Sequence, residues 1–319
     1  MPTFPGPAAE PADRSADAAK PSVGLIGLGA MGHGMAQSLR RSGLAPRVFD
    51  LRPGVAASFA AGGGTACASA AELATGCDVV VCVVVNAAQT EDVLFGSGGV
   101  ATALPRGSVF VMCSTVDPTW AAALEARLED LGLWLLDAPI SGGAAKAASG
   151  QMTMMTAGRA EAYARCGGVL DAMAARVYKL GGRAGAGSKV KIINQLLAGV
   201  HIAAAAEAMA LGLREGVDPA ALYDVITHSA GNSWMFENRM AHVLAGDYTP
   251  LSAVDIFVKD LGLVLDMARS SKFPLPLSST AHQMFMQAST AGFGREDDSA
   301  VIKIFPGIQV PQAVPEDPA

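Results

Sequence analysis

The chain has 319 residues, 51% of them hydrophobic and 16% charged, with a net charge of −6. That is enough apolar material for two buried cores, and it excludes disorder over most of the length. No basic run exceeds pairs such as Arg40-Arg41 and no uninterrupted apolar stretch reaches about 18 residues, so neither nucleic acid, an anionic membrane surface nor a membrane span is expected.

Residues 1–20, MPTFPGPAAEPADRSADAAK, lack the basic start and apolar centre of a signal peptide and read as a disordered Pro/Ala-rich tail. From Val23 to about Lys179, short apolar runs alternate with helix-like segments. VGLIGL leads into an Ala/Met/Leu segment ending at Leu39. RVFD (47–50), DVVVCVVVN (78–86), SVFVMCST (108–115) and LWLLDAPI (133–140) repeat the theme. The branched run at 78–86 suits a strand buried on both faces. Strand, helix, strand, helix predicts a parallel sheet with right-handed crossovers.

Near residue 185 the pattern changes. One long helical stretch runs from Ser188 to Gly216, followed by a helix with Asp218 as N-cap and Pro219 in its first turn, then helices over 233–245, 252–270 and 276–291. The expected organisation is an α/β domain over 21–184, an all-helical domain over 185–305 and a second disordered tail over 306–319. Cys67, Cys77, Cys82, Cys113 and Cys166 form no C-x-x-C pair and no metal spacing. They read as reduced thiols, which points to the cytoplasm, and no metal is expected.

Gly27, Gly29 and Gly32 form G-x-G-x-x-G where the first strand hands over to the first helix. The first glycine permits a tight turn and the second lets a pyrophosphate approach the backbone. The third lets helix and strand pack closely, while Ala30 and Met31 open the helix whose N-terminus faces the phosphates. Asp50 ends the second strand eighteen residues after Gly32, where a carboxylate accepts hydrogen bonds from an adenine-ribose diol and repels a 2′-phosphate. The expectation is a Rossmann-type doubly wound sheet that binds NAD, although Arg52 could instead help to bind NADP.

Taken together, GLIGLGAMGHGM (24–35), DAPISGGAAKAASGQMTMMTAG (137–158), GAGSKVKIINQ (185–195) and KDLGL (259–263) resemble the β-hydroxyacid dehydrogenase family, which includes 3-hydroxyisobutyrate dehydrogenase. The segments occur in order and span nearly all of the expected folded chain. Within the family, the stretches at 194–212, 231–264 and 297–305 look most like members that oxidise the C2 hydroxyl of a four-carbon sugar acid.

The resemblance implies a small hydroxy acid as substrate, with Lys191 as general acid/base. Asn194, one helical turn on, lies on the same face and would bind substrate. Gln195 stands where many relatives carry a second asparagine. Ser141, Gly142 and Gly143 would cradle the substrate carboxylate with a hydroxyl and exposed backbone N–H groups. Thr115, at the carboxyl edge of the sheet, and Lys259, from the helical half, would touch the cofactor. Asp260 reads as a helix-surface charge. The alanine-rich long helix suggests burial between subunits, hence a homodimer or homotetramer.

Overall fold

The computed structural model describes residues 20–312; the expected disorder of residues 1–19 and 313–319 lies outside the described residues. The α/β half comprises β1 (Val23–Ile26), α1 (Ala30–Arg41), β2 (Arg47–Phe49), α2 (Val55–Ala60), β3 (Thr65–Ala66), α3 (Ala70–Ala74), β4 (Val79–Cys82) and α4 (Ala87–Phe95). It continues through β5 (Val109–Met112), α5 (Pro118–Asp130), β6 (Trp134–Asp137), β7 (Ile140–Ser141), α6 (Gly143–Ser149), β8 (Met152–Gly158), α7 (Ala160–Met173) and β9 (Ala174–Lys179). The helical half holds α8 (Ala186–Arg214), α9 (Pro219–Thr227), α10 (Trp234–Ala245), α11 (Val254–Ser270), α12 (Pro276–Ala288) and a short 3₁₀ segment, Asp298–Ile304.

Strand order is β3-β2-β1-β4-β5-β6-β8-β7, with every pair from β3 to β6 parallel. The order reverses between β1 and β4, which opens a crevice at their carboxyl ends, where doubly wound sheets bind ligands. Residues along the central strands alternate between two cores. Leu25, Val79, Val81, Val109 and Val111 pack on one face of the sheet, and Ile26, Val80, Cys82, Phe110 and Met112 on the other. A third core, around Ile202, Met209, Phe257 and Phe285, belongs to the helices.

Two features depart from expectation. The sheet is not wholly parallel, because β8 runs antiparallel to β6 and β7 while β9 pairs parallel with β8. The β8 sequence MTMMTAG has no valine, isoleucine or aromatic residue and only two threonines, so its strand signal is weak even though nearly all of it is buried. Within the described residues, the segment after Pro306 also stays attached, since Ile308 and Val310 pack against the helical core. Two apolar residues among prolines are too few to register as an element.

The 29-residue α8 is long and apolar enough to cross a bilayer on length and composition alone. Here it is the central packing element instead, touching β8 and β6 at its start and α10, α11 and α12 along its length. Its first turn has no cap of its own. Asp137, at the end of β6, supplies one by accepting hydrogen bonds from the Gly185 N–H (2.8 Å), the Ser188 N–H (2.9 Å) and the Ser188 hydroxyl (2.7 Å). Burial raises the Asp137 carboxyl and these hydrogen bonds oppose the rise. A side chain on Gly187 would lie 2.4 Å from the Met155 carbonyl, so only glycine lets the helix start this close to the sheet.

Candidate active site

The glycine turn separates into structural and open positions. Gly27 has φ +91°, and a Cβ there would meet the Val83 carbonyl at 2.4 Å; one at Gly32 would meet the Gly27 carbonyl at 1.8 Å. Around Gly29 nothing lies within 4 Å of that point. The turn therefore keeps clear space over the second glycine, at the N-terminus of α1, where no side chain caps the helix. That space and those free N–H groups fit a dinucleotide pyrophosphate.

Asp50 lies beside the turn. Its Oδ2 accepts the Leu28 N–H (2.7 Å), and its Oδ1 accepts the Arg52 N–H and Nε, both at 2.9 Å. The Arg52 guanidinium holds the carboxyl down to about 2, against the effect of burial. Arg52 is thus engaged with Asp50 and with the Leu28 carbonyl (3.0 Å).

A cleft of about 600 Å³ opens between the carboxyl edge of the sheet and helices α8, α10 and α11. Gly29, Ala30, Met31, Gly32, Thr115, Ser141, Gly142, Gly143, Lys191, Asn194 and Lys259 all line it. Gly27 and Asp50 do not; one supports the turn from beneath and the other stands at the end of β2. The Ser141–Gly143 turn leads from β7 into α6 through two glycines with φ +136° and +77°, conformations that suit glycine. Thr115 does not cap α5, because Asp117 accepts the Thr119 and Trp120 N–H groups.

Lys191 is only 8% exposed, and its ammonium donates to Gln195 Oε1 at 2.7 Å. Asn194 donates to the same oxygen at 3.1 Å. Gln195 Nε2 donates to Asp260 Oδ2 at 2.5 Å. The Lys259 ammonium stands 2.5 Å from the other Asp260 oxygen, a close ion pair without hydrogen-bond alignment, and donates to the Thr115 carbonyl at 3.1 Å. A continuous polar chain thus runs from Lys191 through the helical half and across to the end of the sheet. Burial lowers Lys191 to about 8; Asp260 pulls it up and Lys259 pushes it further down.

Sequence reasoning missed four parts of this site. Asp260 is 2% exposed rather than a surface charge, because its helix turns it onto Gln195. Gln195 bridges the lysine and that carboxylate. Arg239, on α10, lines the cleft while Asp298 holds it at 2.5 and 3.0 Å, and it donates to Asn238 Oδ1. Lys146 lines the cleft from α6. Only the charge beside an apolar repeat could have flagged Asp260; the pairing of Arg239 with Asp298 spans 59 residues and has no local signature.

A two-lobed oxidoreductase with a nicotinamide cofactor in its cleft accounts for the doubly wound sheet, the open glycine turn and the buried lysine. Residues 22–182 match the model of the NAD-binding domain of 6-phosphogluconate dehydrogenase, and residues 185–305 match the NAD-binding region of NADP-dependent 3-hydroxyisobutyrate dehydrogenase. An L-threonate dehydrogenase of Cupriavidus necator is 70% identical over 290 residues, covering 91% of this chain and 98% of its own. Its Escherichia coli K12 namesake is 54% identical over 292 residues, 91% of this chain and 97% of its own. A crystal structure of 3-hydroxyisobutyrate dehydrogenase from Salmonella typhimurium superposes with a TM-score of 0.86 at 57% identity, covering 89% of this chain and 99% of that one. The chain belongs to the 3-hydroxyisobutyrate dehydrogenase-like family of β-hydroxyacid dehydrogenases, and its activity is that of an NAD(P)-dependent hydroxyacid dehydrogenase.

Proposed function

We propose that this protein is an NAD-dependent L-threonate dehydrogenase, which oxidises the C2 hydroxyl to a ketone and yields the 2-oxo acid. The substrate reading rests on near-full-length relatives of that name at 54–70% identity. The chemistry rests on one observation, a buried lysine in the cleft whose nitrogen touches an amide oxygen rather than a carboxylate.

When bound, NAD supplies the acceptor for the hydride that leaves C2. Lys191 takes the hydroxyl proton as the C2–H bond breaks and the C2–O bond becomes a carbonyl. A free lysine near 10.4 is a poor acceptor at neutral pH; burial that brings it to about 8 removes much of that handicap. Gln195 fixes the lysine, and Asn194 keeps an amide on the same face for a substrate hydroxyl. Ser141, Gly142 and Gly143 seat the carboxylate end. Gly27, Gly29, Ala30, Met31 and Gly32 form the pyrophosphate turn. Asp50 binds the ribose diol, which favours NAD over NADP, since Arg52 is already committed to that carboxylate. Thr115 and Lys259, joined across the cleft, flank the nicotinamide end.

The working form is a homodimer or homotetramer in the cytoplasm, a reducing setting in keeping with five free, buried cysteines. The name of the Salmonella typhimurium relative favours a second reading, 3-hydroxyisobutyrate oxidation on the same machinery. NADH absorbance with L-threonate, D-threonate, L-serine and 3-hydroxyisobutyrate, using NAD and then NADP, separates the two. L-Threonate with NAD is expected to give the highest kcat/KM; reaction with 3-hydroxyisobutyrate alone would overturn the substrate assignment and leave the class intact.

A further inference from the structure

We propose that Lys146 is the counter-ion of the substrate carboxylate, so that the cleft selects hydroxy acids over their uncharged analogues. The proposal deepens the hydroxyacid dehydrogenase reading and rests on it. It comes from a charge count. The charged side chains lining the cleft are Lys146, Lys191, Arg239, Lys259 and Asp260, four bases against one acid. Lys259 is paired with Asp260, and Arg239 is paired from beneath with Asp298. Lys191 is hydrogen-bonded to a neutral amide and is the cation that burial works against. Lys146 has no ion pair and no hydrogen bond from its ammonium among the described residues. Lys191 and Lys146 are thus the two cations in the cleft without an ion pair. Lys191 must shed its proton in the proposed oxidation, which leaves Lys146 as the lasting positive charge opposite a substrate that carries one negative charge.

Position supports the count. Lys146 lies on α6, three residues after Gly143. Its stem lies along Gly142, since a Cβ on that glycine would sit 2.9 Å from Lys146 Cδ and 3.0 Å from its Cβ. The methylenes thus lie over Gly142, and Lys146 lines the same cleft as the turn, which leaves its ammonium, two bonds beyond Cδ, within reach of a carboxylate seated there. A carboxylate there would receive neutral donors from the turn and a charged one from Lys146. Charge-assisted hydrogen bonds of this kind are about twice as strong as neutral ones.

The test uses the full-length enzyme saturated with NAD, comparing wild type with Lys146→Met and Lys146→Arg. Lys146 is exposed, so Met should leave the fold and melting temperature unchanged. In Lys146→Met the KM for L-threonate should rise about tenfold or more, with kcat changed by less than about threefold and the KM for NAD unaltered. The preference for L-threonate over its methyl ester should fall by the same factor, and Arg should restore most of both. Calorimetric titration of L-threonate into the NADH-loaded enzyme gives the same comparison without turnover. Wild type that binds but does not oxidise would refute the functional reading while still testing Lys146. A Met variant with binding and acid-over-ester preference within twofold of wild type would overturn the role of Lys146, as would wild type that does not bind at all.

Discussion

Two lysines on the first turn and a half of α8 illustrate how environment decides chemistry. Lys189 is exposed, while Lys191, two positions on, faces the cleft and is buried. Burial costs the charged form more than the neutral one, and the proposed role of Lys191 as base needs the neutral form. kcat/KM for oxidation should therefore rise with pH up to about 8 and level off above it. Asp260 favours the ammonium, so Asp260→Asn should move that inflection to lower pH; a rise, or no movement, would mean that another group sets the profile. The place of Lys191 in the cleft was legible because a local motif surrounds it. Asp260 was not, since its partner comes from elsewhere in the fold: the Gln195–Asp260 contact spans 65 residues. A charged residue read alone looks solvated.

Among the elements, the glycine turn makes two kinds of prediction at neighbouring positions. Gly29→Ala places a methyl in open space and should leave the melting temperature unchanged while weakening NADH binding, read by fluorescence titration. Gly32→Ala forces a methyl into the Gly27 carbonyl and should lower the melting temperature by several degrees. Equal effects on stability would contradict this division. Central strands were legible because Val-rich runs buried on both faces leave a continuous apolar signature, as at 79–82 and 109–112. β8 was not, because methionine, alanine and glycine take their strand conformation from the neighbours that bury them. The cap on α8 was equally hidden: helix caps are usually local, and this one comes from Asp137 on another element.

For the whole molecule, the exchange of strands for helices near residue 185 was readable from periodicity, whereas the cleft between the halves depends on how α8 lands on the sheet at Gly187. The outer face of α8 leaves Val190, Ile193, Leu197 and Leu211 exposed. Apolar residues at this spacing suit a second copy of the chain, so Ile193→Glu with Leu197→Glu should shift sedimentation toward the monomer; an unshifted oligomer would place the interface elsewhere. Within the cleft, the polar chain from Lys191 to Thr115 joins the two halves at the proposed reaction centre. The most direct test of that centre is Lys191→Ala, assayed for NAD reduction by L-threonate beside an NADH-binding titration. Turnover is expected to fall about 10²- to 10⁴-fold while NADH still binds. A variant that binds NADH and keeps more than about a tenth of wild-type turnover would contradict the assignment of Lys191 as the base.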